Sequence, residues 1–352
     1  MSVKIAILGF AHGHVSTYVD QWVARPELGV TIVSGWDHDN TRLSDAAACV
    51  PGMKQCVSPE EAMESADAVG IFAETSMHAD LVELAAAAGK AIICYKPMAL
   101  RMEEADRIVA AVEKYQVPFT LGFQMRTDPQ NIRIREIIQA GEIGPVYLFR
   151  RRHGLSIHTW DNFENSWHCN PTYNRDILAD DSSHPIDMMN WIFGLPETVS
   201  AEISTMYSPK MPNDTAVLLF KYANGMIAEI TCPFACSGSE ITTEVYGESG
   251  SILQSYGDAV SAGLPRPEGQ PGLKYFKRGA AAWMDSGIDS PAFHGQRLVD
   301  LAEPMADFLN GKREPICTVY EGRDDLKMVL AALLSAREGC RVRIDDPRIY
   351  EL

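Results

Sequence analysis

Three stretches of the chain hold residues whose types and spacing could do chemistry. In Leu178-Ala179-Asp180-Asp181-Ser182-Ser183-His184-Pro185-Ile186-Asp187 a carboxylate stands four residues before an imidazole. Asp180 is near enough to orient the His184 ring and raise its basicity, the arrangement that general acid/base chemistry uses. A histidine that is only a hydrogen-bonded strut fits the same pattern. In Ala91-Ile92-Ile93-Cys94-Tyr95-Lys96-Pro97 an apolar run ends in a lysine held against a proline. The residue before a proline is pushed out of helical geometry, so Lys96 leaves a strand extended, where its ammonium can stabilise charge developing on a substrate oxygen. A lysine that merely opens a surface loop is the plainer alternative. The third stretch is Gly9-Phe10-Ala11-His12-Gly13-His14, which approximates the G-x-G-x-x-G turn that receives a dinucleotide pyrophosphate. Ala11 and His14 replace its second and third glycines.

The elements needed to position these residues are legible around them. Residues 4–9 read as a buried parallel strand, and Val15, Tyr18, Val19 and Trp22 then fall on one helical face. A strand over 30–36 ends at Asp37, where a carboxylate accepts hydrogen bonds from the adenosine ribose and repels a 2′-phosphate, favouring NAD over NADP. A loop aspartate leading to a helix cap at Asn40 is the other reading. The strand over 68–73 closes on Glu74-Thr75-Ser76, and His78 opens an alanine-rich helix that stops at Gly89. The Lys96 strand, a helix over 103–115 and a strand over 117–122 complete an alternating series. Its fold class is α/β, a Rossmann-type doubly wound parallel sheet over residues 1–122.

From residue 123 the rhythm changes. A helix over 129–140 and a strand over 146–152 precede an irregular stretch, 153–175, that carries His158, Trp160, Trp167 and His168. Loops this long in a compact domain are functional or disordered, and the aromatic content favours order. Strands over 199–206, 216–222, 226–232, 240–246 and 251–254, with a hairpin signal at Asn224-Gly225, predict an α+β domain with a mostly antiparallel open sheet. That domain, 123–352, is expected to bind substrate and mediate oligomerisation. Residues 257–290 read as a Gly/Pro-rich excursion loop, Arg150-Arg151-Arg152 as alternating faces of a strand, and 298–310 and 324–338 as helices.

Composition limits the partners. A formal net charge of −16 opposes binding to nucleic acid or an anionic membrane surface. The start of the chain has no leader-like segment and no run is long enough to span a bilayer, so a cytoplasmic protein is expected. Eight scattered cysteines fit reduced, mostly buried thiols. A metal site built from His158, His168, Asp181 and His184 lacks short-turn or helical ligand spacing, and no metal is expected.

Taken together, the degraded glycine turn, Lys96-Pro97 and Asp180-x-x-x-His184-x-x-Asp187 resemble the Gfo/Idh/MocA family of sugar and inositol oxidoreductases. Ala88-Gly89-Lys90, Gly141-Glu142-Ile143-Gly144 and Ser335-Ala336-Arg337-Glu338-Gly339 extend the resemblance over nearly the whole chain. Three departures stand out: Tyr95 where the family has glutamate before the lysine, Asn174-Arg175-Asp176 where it has glycines, and Ser182 where it has the glycine two residues before the histidine. The resemblance implies a hydride transfer between NAD and a secondary hydroxyl or carbonyl of a sugar, sugar derivative or cyclitol, in a homo-oligomer, dimer or tetramer. His184 is then the base, Asp180 its orienting partner and Lys96 the cation, acting on one hydroxyl across an interdomain crevice. Gly9, Phe10, Ala11, His12, His14, Asp37, Glu74, His78 and Lys96 are expected at the cofactor. Arg126, His158, Trp160, Trp167 and His168 are expected at the sugar. An NAD-dependent glycoside hydrolase working by transient redox, and a nonenzymatic sugar or dinucleotide sensor, are the alternatives.

Overall fold

The structure is a computed structural model that describes residues 2–257, 260, 263–265 and 267–352. It divides into two compact units. One comprises the chain up to Thr127, Thr172–Asn174 and Arg297–Leu326; the other comprises Asp128–Pro171, Arg175–Gln296 and Lys327–Leu352. The chain thus re-enters the first unit twice after 122, the position read from sequence as a single boundary.

In the first unit β1 (Val3–Leu8), β2 (Val30–Trp36), β3 (Lys54–Gln55), β4 (Ala68–Ile71), β5 (Ala91–Tyr95) and β6 (Phe119–Gly122) form one sheet in the order β3-β2-β1-β4-β5-β6. Every pairing is parallel. Its central strands bury residues on both faces, as a sheet covered by helices requires: Ile5, Ala6, Ile7 and Leu8 are all inaccessible. The strand order reverses between β1 and β4, which opens a crevice at their carboxyl ends. The covering helices are α1 (Val15–Ala24), α2 (Asn40–Cys49), α3 (Pro59–Met63), α4 (His78–Ala87) and α5 (Met102–Tyr115). α1 buries the Val15, Tyr18, Val19, Trp22 stripe. Asp39, not Asn40, caps α2: its carboxylate accepts from the Thr41 and Arg42 amides.

The second unit holds α6 (Pro129–Gln139), α7 (Ile177–Asp181), α8 (Ser183–Phe193) and a nine-stranded sheet. The strands are β7 (Val146–His153), β8 (Thr198–Ser204), β9 (Thr215–Lys221), β10 (Ile227–Pro233), β11 (Ile241–Gly247), β12 (Gly250–Gln254), β13 (Leu273–Lys277), β14 (Met284–Asp285) and β15 (Val342–Arg343). Their order is β14-β13-β12-β11-β7-β10-β9-β8-β15. β7 runs parallel to β10, and all other pairings are antiparallel. Arg151 is buried, donating to Thr243 Oγ1 at 2.6 Å, while Arg150 and Arg152 face outward, the alternation a strand imposes. The stretch 257–290 is not one loop. Leu273–Lys277 pairs with β12 and Tyr275 pairs with Met284, because a short apolar and aromatic run is embedded in the Gly/Pro-rich flanks. Residues 258, 259, 261, 262 and 266 of that stretch lie outside the described residues. The aromatic segment before α7 is ordered as three short turns, Ile157–Thr159, Phe163–Asn165 and Trp167–Cys169.

α9 (Gln296–Leu309) then carries the chain back into the first unit. Its Leu301, Ala302, Met305 and Ala306 join Ile5, Tyr18, Trp22, Phe72 and Tyr95 in one hydrophobic core, and the Trp22 indole donates to the Ala302 carbonyl at 2.9 Å. The division between the units falls inside α10 (Val319–Glu338).

Candidate active site

The dinucleotide face is assembled where β1, β2 and β4 end. Gly9 has φ +88°, and a Cβ there would come within 2.4 Å of the Ala73 Cα, so only glycine lets the turn lie against the end of β4. The His12 amide donates to the Phe72 carbonyl at 3.1 Å. Asp37 follows β2 with its carboxylate fully buried: one oxygen accepts from the Phe10 amide at 2.6 Å, the other from the Asp39 amide at 2.7 Å and from Arg42 at 2.9 Å. Asp37 therefore braces the glycine turn from below, and the groups presented beside it are His38 and Arg42. Glu74 holds both, at 3.1 and 2.9 Å. Burial alone would raise the Glu74 carboxyl, but backbone hydrogen bonding and Arg42 outweigh it and hold the group below its usual range.

Lys96 leaves the end of β5 and is buried, and the Lys96–Pro97 peptide is cis. His78, expected at the cofactor, is instead a buried tie. Its Nδ1 faces the Pro97 carbonyl at 3.0 Å and its Nε2 the Ala73 carbonyl at 3.2 Å, so it links the segment after Lys96 to the residue beneath Gly9. Burial lowers its pKa against the pull of those carbonyls. Arg126, expected at the sugar, is likewise buried and donates to the Ile316 carbonyl at 3.1 Å and to Glu321 at 2.7 Å, joining two segments of the first unit.

The second unit contributes an imidazole and carboxylate cluster. Asp176 caps α7 by accepting from the Ala179 amide at 2.7 Å, which fixes the helix that presents Asp180. Asp180 Oδ2 meets His168 Nδ1 at 2.6 Å. The His168 ring is stacked on Trp167, with centroids 3.9 Å apart, and on Phe163 at 5.4 Å. His184 lies in the first turn of α8 and is buried, its ring 6.0 Å from that of His153 on β7. A separate pocket of about 320 Å³ gathers His158, Trp160, Phe163 and Tyr207. Of the residues expected at the sugar, His158 and Trp160 thus line a cavity, Trp167 and His168 belong to the Asp180 cluster, and Arg126 is in the first unit.

Residues 3–123 match the oxidoreductase family with an NAD-binding Rossmann fold, and residues 132–253 match the GFO/IDH/MocA C-terminal domain. The chain belongs to the Gfo/Idh/MocA family. Among its relatives, the scyllo-inositol 2-dehydrogenase (NAD(+)) of Bacillus subtilis is 26% identical over 362 residues, covering 99% of this chain and 98% of its own. The uncharacterized oxidoreductase YrbE of Bacillus subtilis is 33% identical over 194 residues, 53% of this chain, and the match spans only 54% of YrbE. The crystal structure of myo-inositol 2-dehydrogenase from Lactobacillus plantarum superposes with a TM-score of 0.79 at 22% identity over 98% of this chain and 100% of that one, which shows the shared fold. This Gfo/Idh/MocA chain is accordingly an oxidoreductase with an NAD-binding Rossmann unit, and the Gly9 turn, closed to any side chain, fits that cofactor.

Five residues of this Gfo/Idh/MocA site were not singled out for these roles in the sequence. Arg42 sits between two carboxylates, His38 meets Glu74, His153 faces His184, Phe163 stacks on His168, and Tyr95 bonds to the glycine turn. Only Tyr95 left a signal, as a departure from the family's glutamate before the lysine.

Proposed function

We propose that the protein is an NAD-dependent dehydrogenase of a secondary hydroxyl on a sugar, sugar derivative or cyclitol. The observation that carries this reading is the 2.6 Å contact between Asp180 and His168, an imidazole held by a carboxylate that stands four residues before His184 in sequence, in a chain whose other unit binds NAD. The Gly9 turn with Phe10, Ala11, His12 and His14, and the edge formed by Asp37, His38 and Glu74, would hold the dinucleotide. When bound, it supplies the hydride acceptor or donor. Asp37 commits both oxygens to the Phe10 and Asp39 amides and to Arg42, so the preference for NAD over NADP is carried by the match to an NAD-binding family and not by a carboxylate facing the ribose.

His184 takes the hydroxyl proton, while Asp180 holds the His168 imidazole at 2.6 Å. Lys96 stabilises the oxygen as it becomes alkoxide-like. The relative named for scyllo-inositol supports a ring polyol as the substrate. The outward face of the nine-stranded sheet presents Val217, Leu219, Ile227 and Tyr246, all exposed. We assign it to a second copy of the chain, giving a homo-oligomer.

The test is a panel of inositols, aldoses and ketoses with NAD or NADH, read by the absorbance of the reduced nicotinamide. Stoichiometric turnover on one class supports the reading. Release of an aglycone from an aryl glycoside with no accumulated NADH replaces it with transient-redox hydrolysis, and dinucleotide or sugar binding with neither reaction replaces it with a sensor.

A further inference from the structure

We infer that Tyr95 is a positioning residue that couples the dinucleotide-binding turn to the strand end bearing Lys96, acting through a hydrogen bond to His14. Tyr95 is the last residue of β5 and is inaccessible to solvent. Its ring lies over Gly122, its partner on β6. A Cβ at Gly122 would come within 2.7 Å of the Tyr95 ring, so the ring takes this position only because residue 122 is glycine. The ring extends beneath α1, 5.7 Å from the Tyr18 and Phe72 rings and 4.5 Å edge-on from His12.

Its hydroxyl is a junction. Tyr18 Oη donates to it at 2.8 Å, it donates to Gln124 Oε1 at 3.1 Å, and His14 Nδ1 lies 2.8 Å away. With the single hydroxyl proton directed to Gln124, the contact with His14 is made by an Nδ1–H donor, which fixes the tautomer of a neutral His14. His14 stands at the N-terminus of α1 and makes no side-chain cap there; its ring is turned inward to Tyr95. The helix end that attracts a pyrophosphate is therefore tied, through one hydroxyl, to the strand whose next residue is Lys96. A side chain at the position of the third motif glycine, a departure in sequence, becomes the means of attachment. Loss of the hydroxyl frees the turn to sample conformations that do not bind, which lowers apparent affinity by the fraction still competent.

The inference rests on NAD binding by the first unit, so the wild-type titration is the control. If wild type binds no NAD, that premise fails, not the coupling. Calorimetric titration of NAD into the full chain is compared for wild type, Tyr95→Phe, His14→Ala, His14→Asn and the Tyr95→Phe/His14→Ala double variant. Each of Tyr95→Phe and His14→Ala is expected to raise Kd roughly 5- to 50-fold, within the span of a typical coupling between sites. The double variant should be no weaker than the poorer single, and His14→Asn, which keeps a donor near Nδ1, should recover most of the loss. A Tyr95→Phe protein that melts earlier but binds NAD within twofold of wild type overturns the inference and leaves a packing role. So do singles whose effects multiply, or a His14→Asn variant no better than His14→Ala. If Tyr95→Phe does not fold, the two half-exposed His14 substitutions decide alone: equal Kd values for wild type and His14→Ala overturn it.

Discussion

In the proposed mechanism His184 and the Asp180-held His168 are the two imidazoles available for acid/base work, and substitution can apportion it. His184→Asn keeps a hydrogen-bonding group but removes the base, and should lower kcat roughly 10²- to 10⁴-fold, the range for a positioned acid/base group. His168→Asn should cost about tenfold or less, because an amide still bonds to Asp180. Steady-state kinetics on the substrate found by the polyol panel checks both, and a larger loss in His168→Asn would exchange the roles. His78 makes a separate prediction. Its native pKa is lowered by burial from 6.5, so below that pH the unfolded chain takes up a proton the native chain refuses. The stabilisation is complete above 6.5 and is lost as pH falls toward the native value, at up to about 1.4 kcal/mol per pH unit. Melting temperatures from pH 7.5 down to 5 should fall more steeply in wild type than in His78→Gln. At this scale residue type and local spacing single out Lys96, Asp180 and His184 as candidates, but do not reveal that the Asp180 carboxylate meets His168. Tyr95's role was not legible either, since its partner His14 is 81 residues away in sequence, and no local pattern encodes a contact made by folding.

Elements were legible wherever hydrophobic periodicity was undisturbed. The parallel strands of the first unit, buried on both faces, appear as short apolar runs, and α1 carries its buried stripe at the expected spacing. The sequence misleads where composition conceals a strand. β13 carries Lys274 and Lys277 on opposite faces and sits among glycines and prolines, so it reads as loop although Leu273 is fully buried. Arg126 misleads in the opposite sense: a cation after a strand of the NAD-binding unit resembles a ligand contact, yet it is a strut to Ile316 and Glu321. Gly9 gives the clearest prediction for an element. Gly9→Ala imposes both a left-handed backbone penalty and a clash with Ala73, and should cost about 2 kcal/mol or more. Chemical denaturation should show a lower midpoint, and NAD should bind at least about tenfold more weakly.

For the molecule as a whole, the outward sheet face predicts self-association. Arg150 lies between Glu229 and Glu244 at 3.2 Å each, and this ionic row is flanked by Leu219, Ile227 and Tyr246. Light scattering with size exclusion should give a dimer or tetramer, and Leu219→Asp with Ile227→Asp should shift it toward monomer; a wild-type monomer would remove the assignment of this face. Among the described residues no helix is long and apolar enough to cross a membrane. A chain cut after Thr127 should bind NAD poorly and expose apolar surface to a hydrophobic dye, because α9 completes the first unit's core. That arrangement also orders events on the ribosome. The strands that bind NAD emerge first, yet they wait for Leu301 and Met305 to leave the exit tunnel, at about 5–20 residues per second. The sheet of β7 to β14 is synthesised in that interval, so the end of the chain that is made first is the unit that can close last.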